Sequence, residues 1–150
     1  KLRAIYENKE ARPFAYFADE LVNMSSDEEG AFLRLHEIST YPRRVLIECD
    51  MCPVALSRDK NRLGMVTLKK QDYRLLELET ASTQEEFLTV AENNIPGWKA
   101  FIDGIEAPIF MVNFTYLGII IPKGDHQIKF IYTYQNIFAY VGELLWKKKK

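Results

Sequence analysis

The stretch that most constrains the fold is residues 95–130, which read IPGWKAFIDGIEAPIFMVNFTYLGIIIPKGDHQIKF. It contains four apolar runs with alternating side chains, separated by turn-forming residues. Asp103-Gly104 lies between two of these runs, and this dipeptide is a strong hairpin signal because both residues accept the backbone of a tight two-residue turn. Apolar runs at intervals of roughly 8 to 12 residues, joined by such turns, are typical of a β-sandwich or barrel.

The same pattern extends over most of the chain. Strands are predicted at residues 14–18, 21–24, 43–48, 64–71, 73–80, 86–91, 98–103, 105–112, 114–121 and 126–134. In the strand at 73–80, Leu76 and Leu78 share one face and two glutamates occupy the other, which is the pattern of a half-buried strand.

One helix is predicted, over residues 25–38. Ser25 is a candidate N-cap, and Glu28 three residues later completes a capping box. Apolar residues then follow at helical spacing: Phe32, Leu35 and Ile38. The helix should end before Pro42, because the residue that precedes a proline avoids the helical region.

These patterns predict one mainly β domain of 150 residues, a normal size for a single domain. Its core is a two-sheet, jelly-roll-like β-sandwich formed mainly by residues 64–134, with a small α/β portion at residues 1–63 packed against it. Residues 135–150 form a C-terminal segment. The net charge of −1 gives no general attraction to nucleic acid or to an anionic membrane.

The two ends of the chain suggest a fragment of a longer protein. No signal-peptide pattern and no run of about 18 apolar residues is present. Residues 136–146 carry apolar side chains at helical spacing, which suits a helix packed on the sandwich, a segment at a membrane surface, or the stub of a membrane helix. Lys147–Lys150 are either a solubility addition or a natural basic tail.

No catalytic or metal constellation stands out. Cys49 and Cys52 form a lone C-x-x-C pair, whereas a zinc site needs two further ligands, and the two histidines, His36 and His126, are distant in sequence. The spacing is compatible with a short-loop disulfide or with two ordinary thiols. We therefore predict no catalytic residues, no metal and no cofactor in this chain.

Three polar residues of the central stretch allow both a catalytic and a structural interpretation. His126 could act as a base, but no nucleophile lies in a motif beside it, and a half-exposed histidine bonded to a loop is the simpler interpretation. Asp103 and Glu106 could form an acid–base pair, whereas the hairpin alone explains Asp103. Asn113 matches a glycosylation sequon, and also suits a tight turn in left-handed backbone.

Aromatic side chains offer one candidate binding surface. Trp98, Tyr116 and Phe110 could form a platform that stacks on a sugar ring, although aromatic residues within strands usually belong to the core. We take Trp98, Tyr116 and His126 as the candidate residues for contacting a sugar or polymer.

The ordered motifs of the chain resemble the C-terminal extracytoplasmic region of YfhO-type bacterial multi-pass membrane proteins, over roughly residues 6–134. The motifs are Arg12-Pro13-Phe14-Ala15, Pro96-Gly97-Trp98-Lys99-Ala100, Ile102-Asp103-Gly104, Val112-Asn113-Phe114 with Gly118, and the series Pro122, Gly124, His126, Ile128, Phe130 and Tyr132.

The resemblance implies a domain on the extracytoplasmic side of a cell membrane, ahead of a final membrane helix. Members of this family resemble lipid-linked sugar transferases that glycosylate cell-envelope polymers such as teichoic acids, and their catalytic carboxylates are expected in the membrane part. The expected function is a non-catalytic accessory domain, with the membrane part, a cell-envelope glycopolymer or a lipid-linked sugar as partner. The alternatives are a carbohydrate-binding module or a purely structural interaction domain.

Overall fold

The computed structural model describes residues 6–7, 11–23, 44–47 and 64–133. Eleven strands lie within these ranges: β1 (Ala15–Phe17), β2 (Glu20–Asn23), β3 (Arg44–Ile47), β4 (Met65–Asp72), β5 (Leu75–Ser82), β6 (Glu86–Asn93), β7 (Trp98–Ile102), β8 (Ile105–Ala107), β9 (Phe110–Val112), β10 (Tyr116–Ile121) and β11 (Gly124–Tyr132). The predicted helix at 25–38, both cysteines and the C-terminal segment from 134 lie outside the described residues.

The strands form two sheets that pack together. One sheet has five strands in the order β4-β5-β11-β7-β8, and the other has six in the order β1-β6-β10-β9-β3-β2. All neighbours are antiparallel except β2 and β3, which run parallel. The prediction of a mainly β, two-sheet sandwich is thus confirmed, and residues before 64 supply three strands of the six-stranded sheet.

The core between the sheets is built from alternate residues of the long strands. The five-stranded sheet contributes Leu76, Leu78, Ala100, Ile128 and Phe130, and the six-stranded sheet contributes Phe17, Leu88, Val90, Leu117, Ile119 and Ile121. Each of these side chains is at most 2% exposed. Since successive side chains of a strand point to opposite faces, the residues between them lie on the outer faces of the sheets.

The outer face of the six-stranded sheet is also apolar and buried. A second cluster there combines Tyr16, Ala18, Val45, Ile47, Phe87 and Val112. Phe87 lies between the inward positions of β6 and is 1% exposed. The central strands β6 and β10 of this sheet are therefore buried on both faces, as their continuous apolar runs favour.

The outer face of the five-stranded sheet is polar instead. Ion pairs cover much of it: Lys69–Glu79 at 2.7 Å, Lys129–Glu77 at 3.0 Å and Lys99–Glu106 at 3.0 Å. These groups are partly exposed, so each pair adds little to stability.

The predicted strand over residues 105–112 is wrong in one respect. The chain leaves the five-stranded sheet after Ala107 at the end of β8 and enters the six-stranded sheet at Phe110 in β9. Pro108 lies at the break and has no N–H to donate to a ladder, which explains why pairing stops there.

The connections collect at two ends of the sandwich. The β5–β6, β7–β8 and β10–β11 connections meet at one, which we call the Asp103 end. The β4–β5 turn, the β6–β7 loop and the β9–β10 turn meet at the other, which we call the Asn93 end.

Candidate functional site

The β7–β8 turn is a tight two-residue hairpin. Asp103 and Gly104 both have left-handed backbone, with φ of 50° and 84°. Asp tolerates this conformation better than most residues, and glycine adopts it freely. The hairpin predicted from Asp103-Gly104 is confirmed.

The carboxylate of Asp103 extends the ladder between β7 and β11. The Asp103 amide donates to the carbonyl of Gln127 at 2.9 Å. In return the Gln127 amide donates to Asp103 Oδ1 at 2.8 Å, so a side-chain oxygen takes the place of a backbone carbonyl. The turn is thereby fixed against β11.

The second carboxylate oxygen of Asp103 binds His126. Oδ2 lies 2.6 Å from His126 Nδ1, and the imidazole is largely shielded, with 16% of its side chain exposed. Its other nitrogen, Nε2, lies 3.4 Å from the carbonyl oxygen of Lys123. Both ring nitrogens therefore face acceptors, and an imidazole can donate from both only when it is protonated.

The electrostatics of the pair follow from this geometry. The hydrogen bond to Asp103 raises the pKa of His126 above its ordinary value, and the contact with the Lys123 carbonyl acts in the same direction. The hydrogen bonds from His126 and from the Gln127 amide lower the pKa of Asp103. When His126 is protonated, the pair is an ion pair that joins the β7–β8 turn to the start of β11.

This arrangement does not suit acid–base catalysis. A general base needs a nitrogen free to accept a proton, whereas both nitrogens of His126 face oxygen acceptors. Glu106 is bound to Lys99 Nζ at 3.0 Å, whereas the Asp103 carboxylate is bound by His126 and the Gln127 amide, so the two carboxylates have different partners. Within the described part of the chain, no group of three or more residues could hold a metal ion.

A shallow groove of about 500 Å³ opens beside the His126–Asp103 pair. Its lining comes from β4, β5, β11 and the β7–β8 turn: Met65, Thr67, Glu79, Thr80, Ala81, Asp103, Asp125, His126 and Gln127. This volume lies within the range of small-molecule sites in proteins.

Two cross-strand rows form the floor of the groove. In one row Thr67, Glu79 and Gln127 lie opposite one another, and in the next row Met65, Ala81 and Asp125 do so. Ala81 is the smallest of these side chains and sits in the middle of its row, so it leaves a depression between two longer neighbours. The groove thus presents a hydroxyl, an amide and carboxylates around a small floor residue.

The three residues predicted to contact a sugar do not meet. Trp98 pairs with Tyr132 at the Asn93 end, whereas His126 lies six residues away along β11, about 20 Å. Tyr116 is also at the Asn93 end, opposite Asn93.

The two aromatics also belong to different parts of the core. Trp98 packs against the inter-sheet core and lies 5.3 Å from the Tyr132 ring. Tyr116 and Phe110 pack on the second cluster, on the outer face of the other sheet. All three rings are half-buried. They do not form a common platform, and of the predicted residues only His126 lines the groove.

The remaining groove residues were not predicted from the sequence. Glu79, Asp125 and Gln127 carry a signal, because each is an outward position in an alternating strand. The missing information was strand order, since β5 and β11 are more than forty residues apart in sequence yet adjacent in the sheet.

Comparison of the chain with protein-family models, with curated proteins and with solved structures finds no match. In the portion of the chain that the structure describes, no helix is both long and apolar enough to cross a membrane.

Proposed function

We propose that this chain is a non-catalytic binding domain that holds a sugar-bearing ligand in the groove beside His126. The observation that carries the proposal is the floor of two polar cross-strand rows next to a histidine whose ring nitrogens both face acceptors. The groove can bind hydroxyl groups, and both nitrogens of its histidine face oxygen acceptors.

The chemistry of the lining favours a neutral sugar over an anionic group. Glu79 forms an ion pair with Lys69 at 2.7 Å and Asp103 contacts His126 at 2.6 Å, whereas Asp125 is an exposed carboxylate. Carboxylates accept hydrogen bonds from hydroxyl groups and amides both accept and donate them, whereas a phosphate would meet the charge of Asp125. On a glycosylated cell-envelope polymer, the glycosyl part would enter the groove.

The wider context of the proposal comes from the resemblance. We place the domain on the extracytoplasmic side of a bacterial membrane, as an accessory domain of a protein like the YfhO-type sugar transferases. There it would position an acceptor polymer or a lipid-linked sugar for the membrane part of the parent protein.

Titration of the ¹⁵N-labelled chain with soluble fragments of glycosylated teichoic acid, followed by amide NMR shifts, tests the proposal. We expect shifts on β5 and β11 around Ala81 and Gln127. The variant Ala81→Leu fills the groove without removing a polar group, and should weaken binding by at least about tenfold. Gln71→Leu, on the same sheet but outside the groove, is the matched control.

Two results would contradict the proposal. If Ala81→Leu binds the fragments as tightly as Gln71→Leu, or if no fragment shifts the groove signals, the groove is not the site. If the isolated domain transfers sugar to an acceptor, it is not a non-catalytic domain.

A further inference from the structure

Three large apolar side chains are exposed on the connections of the Asn93 end. Tyr73 is 71% exposed on the β4–β5 turn, Ile95 is 48% exposed on the β6–β7 loop, and Phe114 is 40% exposed on the β9–β10 turn. We call these three residues the apolar tip. The β4–β5 turn belongs to the five-stranded sheet, the β9–β10 turn belongs to the six-stranded sheet, and the β6–β7 loop joins the two sheets.

Hydrogen bonds tie the connections of the apolar tip together. The Asn94 amide donates to the Thr115 carbonyl at 2.6 Å, and the Thr115 hydroxyl donates to Asn93 Oδ1 at 2.9 Å. These bonds join the loop of Ile95 to the turn of Phe114. The two side chains are therefore presented on a fixed framework.

Phe114 is also held in an unfavourable backbone conformation. Asn113 and Phe114 have φ of 49° and 66°, and the Thr115 amide closes the turn on the Val112 carbonyl at 3.1 Å. Asn suits the first central position of such a turn, whereas the second is dominated by glycine. A bulky residue with positive φ is a real outlier, and packing in the core does not explain it because the ring is exposed.

The course of the chain indicates what the apolar tip meets. Thr133 follows β11 and is the last residue that the structure describes. Its amide donates to the Gly97 carbonyl at 2.9 Å, so Thr133 lies at the Asn93 end. The sequence that follows, QNIFAYVGELLWKKKK after Tyr134, combines apolar residues, a tryptophan and lysines. This composition is typical of segments at a membrane–water interface.

The polar neighbours of the apolar tip fit the same partner. The Arg74 guanidinium lies 5.1 Å from the centre of the Tyr73 ring. Arginine and tyrosine both place an apolar body in the interface and a polar group in water. At the opposite end, exposed Ile105 and Met65 lie among the exposed charged residues Asp103, Lys123 and Asp125, whose charges oppose insertion.

We infer that the apolar tip inserts shallowly into the interface of a lipid bilayer and orients the domain with its Asn93 end towards the membrane. The side chains of Ile95 and Phe114 enter the boundary between headgroups and acyl chains, and the groove side of β11 faces away. This inference shares with the proposed function the placement beside a membrane, but it does not depend on what the groove binds.

Vesicle flotation of the full 150-residue chain tests the inference. We expect the chain to bind neutral phosphatidylcholine vesicles in 0.5 M salt, conditions that screen any attraction of lysines for anionic lipid. The double variant Ile95→Ser/Phe114→Gly should lose roughly tenfold in partitioning, because two apolar side chains no longer leave water. Ile105→Ser, which removes a 75% exposed side chain at the Asp103 end, is the matched control and should partition like the wild type.

A second measurement locates the contact directly. In Phe114→Trp, brominated lipids should quench the added tryptophan fluorescence, whereas in Ile105→Trp they should not. Both are compared with the wild type to subtract Trp98 and Trp146.

Each of the following results would overturn the inference. One is that the wild type binds no vesicles. Another is that it binds only anionic vesicles at low salt, which would assign the attraction to the lysines. A third is that the double variant floats as well as the wild type. Self-association that the double variant abolishes, without vesicle binding, would assign the tip to a second copy of the chain. Sugar binding by a wild type that binds no vesicles would overturn this inference and leave the proposed function standing.

Discussion

At the scale of single residues, the β7–β8 turn depends on Asp103, whose backbone N–H and two carboxylate oxygens each have a partner. Its backbone forms the turn, one carboxylate oxygen continues the ladder to Gln127, and the other holds His126. The first role could be predicted from the sequence, because Asp-Gly between apolar runs encodes a hairpin locally. The His126 contact could not, since it joins residues 23 positions apart whose strands had first to be placed side by side.

The His126–Asp103 pair should make stability depend on pH. Because the pKa of His126 is raised above 6.5, its contribution is fully present below pH 6.5 and is lost as the pH rises through the folded-state pKa. Because the pKa of Asp103 is lowered below 3.8, its contribution is fully present above pH 3.8 and is lost as the pH falls through the folded-state pKa. Both contributions are complete between these two values, and urea unfolding of the wild type from pH 5 to 9 should show stability falling above pH 6.5.

The variant His126→Gln serves as the comparison. It should lack that part of the decline above pH 6.5, while any contribution of His36 remains in both proteins. In Asp103→Asn the NMR titration midpoint of His126 should move down towards its ordinary value. Parallel stability curves for wild type and His126→Gln would show that the pair does not stabilise the fold.

At the scale of elements, β10 and β11 show two ways in which a strand is read from sequence. In β11, buried Ile128 and Phe130 alternate with exposed Gln127 and Lys129. In β10, the run Leu117–Ile121 is almost continuously buried. Such a run is typical of a strand covered on both faces. Periodicity alone does not distinguish it from a short buried helix segment.

Gly118 in β10 shows how closely the second cluster is packed. A Cβ on this residue would lie 2.6 Å from Phe87 Cζ and 2.9 Å from Val112 Cγ1. Gly118→Ala should therefore lower the free energy of unfolding by about 1 to 3 kcal/mol through overpacking, measured by urea denaturation. The sequence shows a glycine within an apolar run, but the neighbours that exclude a methyl group come from β6 and β9.

The comparison with Gly104→Ala separates packing from backbone strain. A Cβ on Gly104 meets nothing within 4 Å, although its φ of 84° disfavours alanine. Shortening the neighbouring ring with Phe87→Leu should recover part of the loss in Gly118→Ala and none of the loss in Gly104→Ala. Equal behaviour of the two glycine variants would mean that Phe87 does not limit the space at Gly118.

At the scale of the whole molecule, the local sequence patterns predict the class of fold but not the order of the strands within each sheet. Periodicity and turns gave the number and type of most strands from 64 onward. They did not show that β1, β2 and β3 join the six-stranded sheet, or that β2 and β3 run parallel. Strand order is set by contacts between distant residues, which a local pattern does not record.

The two buried clusters should contribute comparably to stability. Phe130 is 0% exposed in the inter-sheet core, and Phe87 is 1% exposed in the second cluster. Each Phe→Ala variant should lower the free energy of unfolding by about 3 to 5 kcal/mol, measured by urea denaturation with tryptophan fluorescence. A loss of less than about 1 kcal/mol for Phe87→Ala would mean that the outer face of the six-stranded sheet behaves as a surface.

The burial of both faces of β6 and β10 limits how the sequence of this protein can evolve. A strand with one wet face can accept polar substitutions at every second position, so it can acquire new binding properties without losing its fold. β6 and β10 have almost no such positions. Within the described part of the chain, variation that alters recognition is therefore best tolerated on the polar face of the five-stranded sheet and in the loops at the two ends, where the groove and the apolar tip lie.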